Sequence, residues 1–275
     1  MRERVRRLAP MARHKITMDG LLRLHGTMKE ALPKGFYFRE SDHSYFMDGE
    51  RMTGVTTILG TIAKPALIGW AARMACEFIS EHSPRVDDHV IPHWQVSDMV
   101  LAEAKNAHTK KKEAGAMAGT DTHTLAEEYI KDMIAHGGTA EFGTKPDWKP
   151  IEPFMQWAIK ENIRFIASEQ RLYSKQMFVA GTADFIFEKD GKRYIGDIKT
   201  YKKLWDRVPM LQCAGYGIMY REMNGKDIDG YCVFNLPKER SFKENEDVRW
   251  SYDVAGDQEG FLAALSLYRV LANWN

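Results

Sequence analysis

Residues 178–199 read FVAGTADFIFEKDGKRYIGDIK, and this stretch predicts a β-hairpin. Its two halves, residues 178–187 and 193–199, are apolar and rich in aromatic and β-branched residues, which is typical of strands. Asp190-Gly191 between them is the preferred pair for a two-residue type I′ turn. Such a turn pairs residue 189 with 192. The same register places Asp184 opposite Asp197, with Cβ atoms about 4.5–5.5 Å apart.

Two opposed carboxylates repel each other unless a positive charge lies between them. Because side chains alternate along a strand, Lys199 shares a face with Asp197. Hard divalent cations such as Mg²⁺ bind through carboxylate oxygens. The hairpin therefore predicts a metal-dependent active site built on Asp184, Asp197 and Lys199.

The composition is that of a globular protein, and the length suits one large domain or one domain with appendages. Of the 275 residues, 44% are hydrophobic and 28% are charged. No stretch approaches the roughly 20 apolar residues of a membrane span, and no signal-peptide core is visible, so we expect no membrane partner and a cytoplasmic location. Cys76, Cys213 and Cys232 are too few for a four-cysteine iron–sulfur or zinc site, and we expect reduced core thiols.

Basic residues cluster, although the formal net charge is only +1. The clusters are residues 1–15, Lys110-Lys111-Lys112, and the segment 189–207 that contains the second strand of the hairpin. A charge run alone usually indicates a solvated face. Basic clusters that flank an acidic metal site are more informative, since a polyanion would satisfy both. They indicate a polyanion as the partner.

The remaining sequence predicts an α/β fold: a central mixed sheet flanked by helices, with an N-terminal elaboration. We divide the chain into a basic flexible arm (1–20), an elaboration of helices and strands (21–115) and a core (116–275). Further strands are predicted at 36–46, 51–59, 163–173 and 230–236, and helices at 65–81, 97–112, 152–162, 209–224 and 258–273. One more helix is predicted to start at Thr122 or Thr124, with Thr124 and Glu127 spaced as a capping box, and to end at Gly137-Gly138.

Four ordered motifs resemble the PD-(D/E)XK nuclease superfamily, in particular its RecB-like branch of phage recombination and mitochondrial genome-maintenance exonucleases. They are Gly119-Thr120-Asp121-Thr122-His123, Gly181-Thr182-Ala183-Asp184, Asp197-Ile198-Lys199 and the helix from Gln212 to Tyr216. Residues 55–59 are also similar to a segment near the start of the genome-maintenance-like proteins. The resemblance covers about residues 50–235 and implies a restriction-endonuclease-like core.

The resemblance also implies the roles of these residues in phosphodiester hydrolysis. Asp184, Asp197 and the Ile198 carbonyl would hold Mg²⁺ or Mn²⁺, and His123 would complete the set of ligands. Imidazole is softer than Mg²⁺ prefers, which makes Mn²⁺ a plausible activator. Lys199 would orient the attacking water or stabilise the charge at phosphorus. As a base, it would need a pKa well below about 10.4.

Other residues are candidates for supporting or DNA-binding roles. Gln212 and Tyr216 lie at i and i+4 of a mostly apolar helix, where they would contact DNA or steady the site. Glu169 would bind metal or hold Lys199, or is simply a surface glutamate. The remaining candidates adjoin the motifs: Thr120, Thr200, Lys202 and Lys203, the two lysines as phosphate contacts.

We expect a metal-dependent DNA exonuclease, used in phage-type recombination or replication and working with a single-strand annealing or replication protein. A structure-specific or restriction-like endonuclease is the second hypothesis, although no extra recognition domain is visible. A DNA-binding recombination module whose nuclease has lapsed is the third. We expect neither an iron–sulfur cluster nor a nucleotide cofactor, because the cysteine spacing is wrong and no nucleotide-binding P-loop motif occurs. Oligomeric state is left open.

Overall fold

The computed structural model describes residues 34–64, 66–86, 93–142, 145–238 and 240–273, and the side chains of residues 66, 114–121 and 146 lie outside that description. The predicted basic arm, residues 1–20, is also outside it. The described chain is an α/β protein with a mixed sheet flanked by helices, as predicted. Its strands and helices are labelled below in chain order.

The described chain begins with a three-stranded antiparallel sheet formed by β1 Phe36–Arg39, β2 Ser44–Met47 and β3 Glu50–Arg51. The strand predicted at 36–46 is therefore two strands, separated by a 3₁₀ turn at Glu40–Asp42. The turn between β2 and β3 uses Asp48 and Gly49, whose φ angles are 50° and 86°. Such left-handed angles favour glycine and aspartate, which explains the choice of residues.

The prediction of a strand at 51–59 is wrong for residues 55–59. Strand β4 covers only Thr53–Gly54, and helix α1 follows at Val55–Leu59. The β-branched residues favoured a strand, but Val55, Ile58 and Leu59 lie at i, i+3 and i+4, so one helical face buries all three. Tertiary packing outweighs the local propensity here.

Helices make up the next part of the chain, with a small hairpin between the first two. The elements are α2 Ala66–His82, β5 Arg85–Val86, β6 His93–Trp94, α3 Asp98–Ala104 and α4 Ala107–Ala135. The helix predicted at 97–112 is thus two helices, the first capped by Ser97, whose hydroxyl accepts from the Val100 N–H. The positive φ angles of Gly137 and Gly138 follow α4, as predicted.

The predicted helix start at Thr122 or Thr124 is wrong, because α4 runs through these positions as one helix of 29 residues. A capping box needs free N–H groups at a helix start, and inside a continuous helix these groups already bond to carbonyls one turn earlier. Glu127 instead forms an ion pair with Lys131. The boundary drawn between residues 115 and 116 falls inside this helix.

The central sheet has the strand order β11-β10-β9-β8-β4, and β7 pairs with β8 as well. The strands are β7 Arg164–Ser174, β8 Val179–Lys189, β9 Lys192–Lys199, β10 Gly230–Asn235 and β11 Val248–Ser251. The pairs β9–β10 and β4–β8 are parallel and the others are antiparallel. The strands predicted at 163–173 and 230–236 are confirmed, whereas β11 was not predicted.

Helices cover both faces of this sheet. These helices are α4, α5 Glu152–Lys160, α6 Val208–Asn224 and α8 Val254–Ala272, and a single turn, α7 Glu244–Asp247, precedes β11. Phe185 and Phe187 pack with α4 and α5, whereas Ile186 and Ile195 pack with α6 and α8. The alternation along β8 therefore divides the core into two layers. Near the end of α8, Leu271 is exposed.

The hairpin at the centre of the sheet has the predicted register. Lys189 pairs with Lys192, and the ladder continues to Phe185 and Gly196. Asp190 and Gly191 have φ angles of 52° and 72°, as a type I′ turn requires. The ladder ends there, and one further step in the same register would bring Asp184 opposite Asp197.

Candidate active site

The site lies where β8 and β9 separate. On the side of β8 that faces β9, the ladder with β9 ends at Phe185, and the short ladder with β4 occupies Val179 and Ala180. Residues 181–184 lie between the two ladders, without a registered partner on that side of β8. The hairpin therefore opens at the level of Asp184.

Asp184 fills part of this opening with its side chain. Its Oδ2 accepts a hydrogen bond of 2.7 Å from the Ile198 N–H, which replaces the strand carbonyl that a continued ladder would supply. The N–H and C=O of one strand residue point towards the same neighbour, so the Ile198 carbonyl faces the opening too. Burial raises the pKa of Asp184, although the charge of Lys199 and the Ile198 N–H oppose this shift.

Asp197 is fully buried and is held by two side chains. Lys199 Nζ lies 2.8 Å from Oδ1 and 2.6 Å from Oδ2, and Gln212 Nε2 donates to Oδ1 over 3.0 Å. Oδ2 has the ion-pair contact but no hydrogen-bond partner in the described structure. Burial raises the pKa of Asp197 to about 6. The charge of Lys199 opposes that shift, and the charge of nearby Asp184 adds to it.

Lys199 remains protonated in this arrangement. Burial lowers its pKa, but the charges of Asp197 and Asp184 outweigh that effect and raise the pKa above its usual value. A base at neutral pH would require the opposite shift. Lys199 is therefore suited to stabilise negative charge and not to remove a proton.

Gln212 and Tyr216 pack against the acidic pair from α6. Gln212 Nε2 also donates to the buried Tyr216 hydroxyl over 3.0 Å, and Lys199 Nζ lies 3.4 Å from Gln212 Oε1. Gly181 lets the helix approach the strand, because a Cβ at this position would lie 2.5 Å from Tyr216 Cε1. The structure thus brings both predicted α6 residues to the site.

His123 reaches the site from α4, on the side of Asp184. Its Nδ1 lies 3.7 Å from Asp184 Oδ2. Burial, reinforced by the positive charge of Lys199, lowers the pKa of His123. The neutral imidazole that results is the form that binds metals. Thr120 lies one turn earlier in α4, and its side chain is outside the described part.

Glu169 lies on β7, beside Asp184 in the neighbouring strand, and has a φ of 48° between the paired residues Ser168 and Gln170. The residue is exposed, yet its carboxyl group is partly desolvated. That desolvation, with the charges of Asp184 and Glu127, raises the pKa of Glu169 to about 7. Glu169 therefore belongs to the electrostatic surroundings of the acidic pair.

The segment that follows β9 is tied to the site by residues that sequence reasoning missed. Asn235, at the end of β10, accepts from the Tyr201 N–H over 2.8 Å and donates to its carbonyl over 3.0 Å. Arg240 donates to the Lys202 carbonyl over 2.9 Å, and both Asn235 and Arg240 bond to buried Asp247. The signal available in the sequence was Asn235 itself, a polar residue that ends an otherwise apolar strand. Thr200 and Lys203 lie on the same segment.

The N-terminal sheet reaches the site through one contact that was also missed. The Tyr45 hydroxyl lies 2.9 Å from Thr182 Oγ1, in the stretch of β8 that has no registered partner on the side facing β9. Tyr45 is on β2, so this hydrogen bond joins the elaboration to the opening of the hairpin.

The donor set fits a hard divalent cation in its chemistry. Asp184, Asp197 and the Ile198 carbonyl supply oxygen, and neutral His123 supplies one nitrogen. In the described structure, Asp197 Oδ2 has its ion pair with Lys199 but no hydrogen-bond partner. Among the described residues, however, no three His, Cys, Asp or Glu side chains stand close enough together to form a ready-made metal cluster. Lys199 lies against Asp197 instead, so a cation here would share that carboxylate with the ammonium group.

Comparison with known proteins adds no relative: no family model matches the sequence, and neither does any curated protein. No helix in the described part of the chain is long and apolar enough to cross a membrane. Cys213 and Cys232 are buried free thiols, as predicted, but Cys76 is exposed.

Proposed function

We propose that this protein is a divalent-metal-dependent deoxyribonuclease of the PD-(D/E)XK type, acting from DNA ends. The observation that carries the proposal is the meeting of Asp184, Asp197 and Lys199 where the two strands of the hairpin separate. Two mostly buried carboxylates beside a lysine that stays protonated are what phosphodiester hydrolysis needs: metal ligands and a fixed positive charge.

The proposed roles follow from the contacts. Asp184, Asp197, the Ile198 carbonyl and His123 would hold Mg²⁺ or Mn²⁺. When bound, such a cation polarises the phosphate and lowers the pKa of a water molecule. Lys199 would stabilise the charge that develops on the phosphoryl oxygens, since its own pKa is raised. Gln212 keeps Asp197 oriented through its hydrogen bond to Oδ1.

A second candidate is a DNA-binding module without nuclease activity. Two observations favour it: the ion pair of Lys199 with Asp197, and the lack of a ready-made cluster of three ligands among the described residues. Against it stands the electrostatic cost of keeping both Asp184 and Asp197 in a site where burial raises both pKa values. An acidic pair of this kind is expected where a cation binds.

The test is cleavage of end-labelled linear DNA and of covalently closed circular DNA with Mg²⁺, Mn²⁺ or EDTA. We expect metal-dependent loss of the linear DNA alone. Asp197→Asn, which keeps the shape of the buried side chain, should abolish it. Asp227→Asn is the matched control, because that carboxylate is 82% exposed and pairs with Arg221 at a distance of 3.7 Å.

Each outcome separates the hypotheses. Cutting of the circular DNA would indicate an endonuclease. Binding of DNA without cleavage of either substrate, by a protein that unfolds cooperatively, would favour the second candidate. Equal activity of Asp197→Asn and the wild type would contradict this site altogether.

A further inference from the structure

Two aromatic side chains stand exposed directly after β9. Tyr201 is 48% exposed and Trp205 is 77% exposed, whereas Tyr194 on β9 and Tyr231 on β10 are buried. Both lie on residues 200–206, here called the post-strand segment, which leads from Lys199 to α6. Tyr201 comes two residues after Lys199, about 7 Å along an extended chain. The exposed rings thus begin next to the proposed reaction centre.

The backbone of the post-strand segment is held by buried groups. Asn235 is fully buried and hydrogen-bonds to both the N–H and the carbonyl of Tyr201. Arg240 bonds to the Lys202 carbonyl, and Asp247 connects Arg240 with Asn235. Leu204 packs against the core between the two exposed rings. An exposed surface whose backbone is fixed in this way is ordered before any ligand arrives, which lowers the entropic cost of binding.

The charge beside the rings is positive. Lys203 Nζ lies 4.6 Å from the centre of the Trp205 ring, a cation–π contact on an exposed surface. Lys202 and Lys203 are both exposed. The one acid on the segment, Asp206, accepts from the Val208 N–H at the start of α6. An aromatic surface with lysines suits a ligand that carries flat apolar rings and negative charges together.

We propose that Tyr201 and Trp205 form a stacking platform for the unpaired bases of single-stranded DNA, with Lys202 and Lys203 contacting its phosphates. This inference rests on the proposed nuclease function for its position beside the site, and it adds that the site receives a single strand. Single-stranded DNA exposes both the faces of its bases and its phosphates, and aromatic side chains bind such bases with little sequence preference. A duplex hides its base faces, so its phosphates alone would contact the lysines.

The test measures binding without cleavage. The full chain in EDTA is titrated onto a 5′-fluorescein-labelled single strand and onto a blunt duplex of the same sequence, followed by fluorescence anisotropy. Trp205→Ala should weaken binding of the single strand about tenfold, within the usual range for removing one stacking contact. Trp205→Phe should retain most of the affinity, and the duplex should respond much less to either substitution. Because Trp205 is 77% exposed, neither change should disturb the fold.

Tyr252→Ala is the matched control. Tyr252 is also exposed, at 66%, but it stacks on Trp250 and contacts Tyr194 edge to face, near the end of β9 opposite to Lys199. We expect its removal to leave single-strand binding unchanged. Lys203→Gln should reduce the slope of log affinity against log salt for the single strand by about 0.7.

Several results would overturn the platform. They are unchanged single-strand binding by Trp205→Ala, an equal loss on the duplex, tighter binding of an RNA strand of the same sequence, or no single-strand binding by the wild type. The last would leave a protein partner as the explanation of the exposed rings. Binding that depends on Trp205 without cleavage in Mg²⁺ or Mn²⁺ would contradict the nuclease and not the platform. Cleavage that is indifferent to Trp205, with unchanged binding, would contradict the platform alone.

Discussion

Gln212→Met is expected to destabilise the protein and to impair the site at once. Gln212 Nε2 donates to Asp197 Oδ1 and to the Tyr216 hydroxyl, both over 3.0 Å. A hydrogen bond to a charged group contributes about 1.5–3 kcal/mol and a neutral one about 0.5–1.5 kcal/mol. Methionine keeps the length of the side chain but removes both bonds. We therefore expect the free energy of unfolding to fall by about 2–4.5 kcal/mol.

Gln258→Met provides a control of the same chemistry. Gln258 Nε2 donates to the Tyr231 hydroxyl over 3.2 Å, so it repeats the glutamine–tyrosine contact without the carboxylate. Its loss should lower the free energy of unfolding by only about 0.5–1.5 kcal/mol. Equilibrium urea unfolding of the wild type and both variants measures these differences, and cleavage of linear DNA is measured on the same preparations.

The two variants should differ in nuclease activity. Gln212→Met should lose nuclease activity, because Asp197 is then held by Lys199 alone, and Gln258→Met should keep it. Equal stability of Gln212→Met and the wild type would refute the hydrogen-bonded role of Gln212. Equal loss of activity in both variants would show that the effect comes from general loosening of the fold.

Two further predictions concern metal and pH. Mg²⁺ or Mn²⁺ should raise the melting temperature of the wild type in a thermal shift assay. The stabilisation should be about 2.7 kcal/mol when the metal concentration is 100 times its dissociation constant. Asp184→Asn should lose this response. Burial, with the charges of Asp184 and Glu127, raises the pKa of Glu169 from 4.5 to about 7. Between these two pH values the folded state therefore binds more protons than the unfolded state. Stability without metal should therefore fall as the pH rises from 4.5 to 7, and Glu169→Gln should flatten the dependence in urea titrations. If Glu169→Gln and the wild type had the same pH dependence of stability, the raised pKa of Glu169 would be contradicted.

Local signals in the sequence were sufficient for the centre of the fold. The turn at Asp190-Gly191 and the strands beside it determine the register by simple counting, and the structure has that register. The helix that carries Gln212 was recognised by Pro209 near its start and Gly225 at its end. Where a few adjacent residues determine the backbone conformation, the prediction needed no knowledge of the tertiary structure.

Tertiary contacts account for what was missed. Residues 55–59 have strand propensity but form a helix, because Val55, Ile58 and Leu59 pack together against α6 and the sheet. Asn235 and Asp247 are twelve residues apart, and their hydrogen bond depends on how β10 and α7 meet. A polar residue at a strand end signals that a partner exists, but the identity of the partner is determined only by the fold.

The electrostatics of the site indicate what the acidic residues are for. Burial raises the pKa values of Asp184 and Asp197, which means that their ionised forms are less favourable in the folded protein than in water. Lys199 compensates only part of this, and His123 adds no charge when its pKa is lowered. Glu169 increases the acidic excess further. Because carboxylates held in this way weaken the fold at neutral pH, stability does not explain them, whereas a bound divalent cation would reverse their electrostatic contribution.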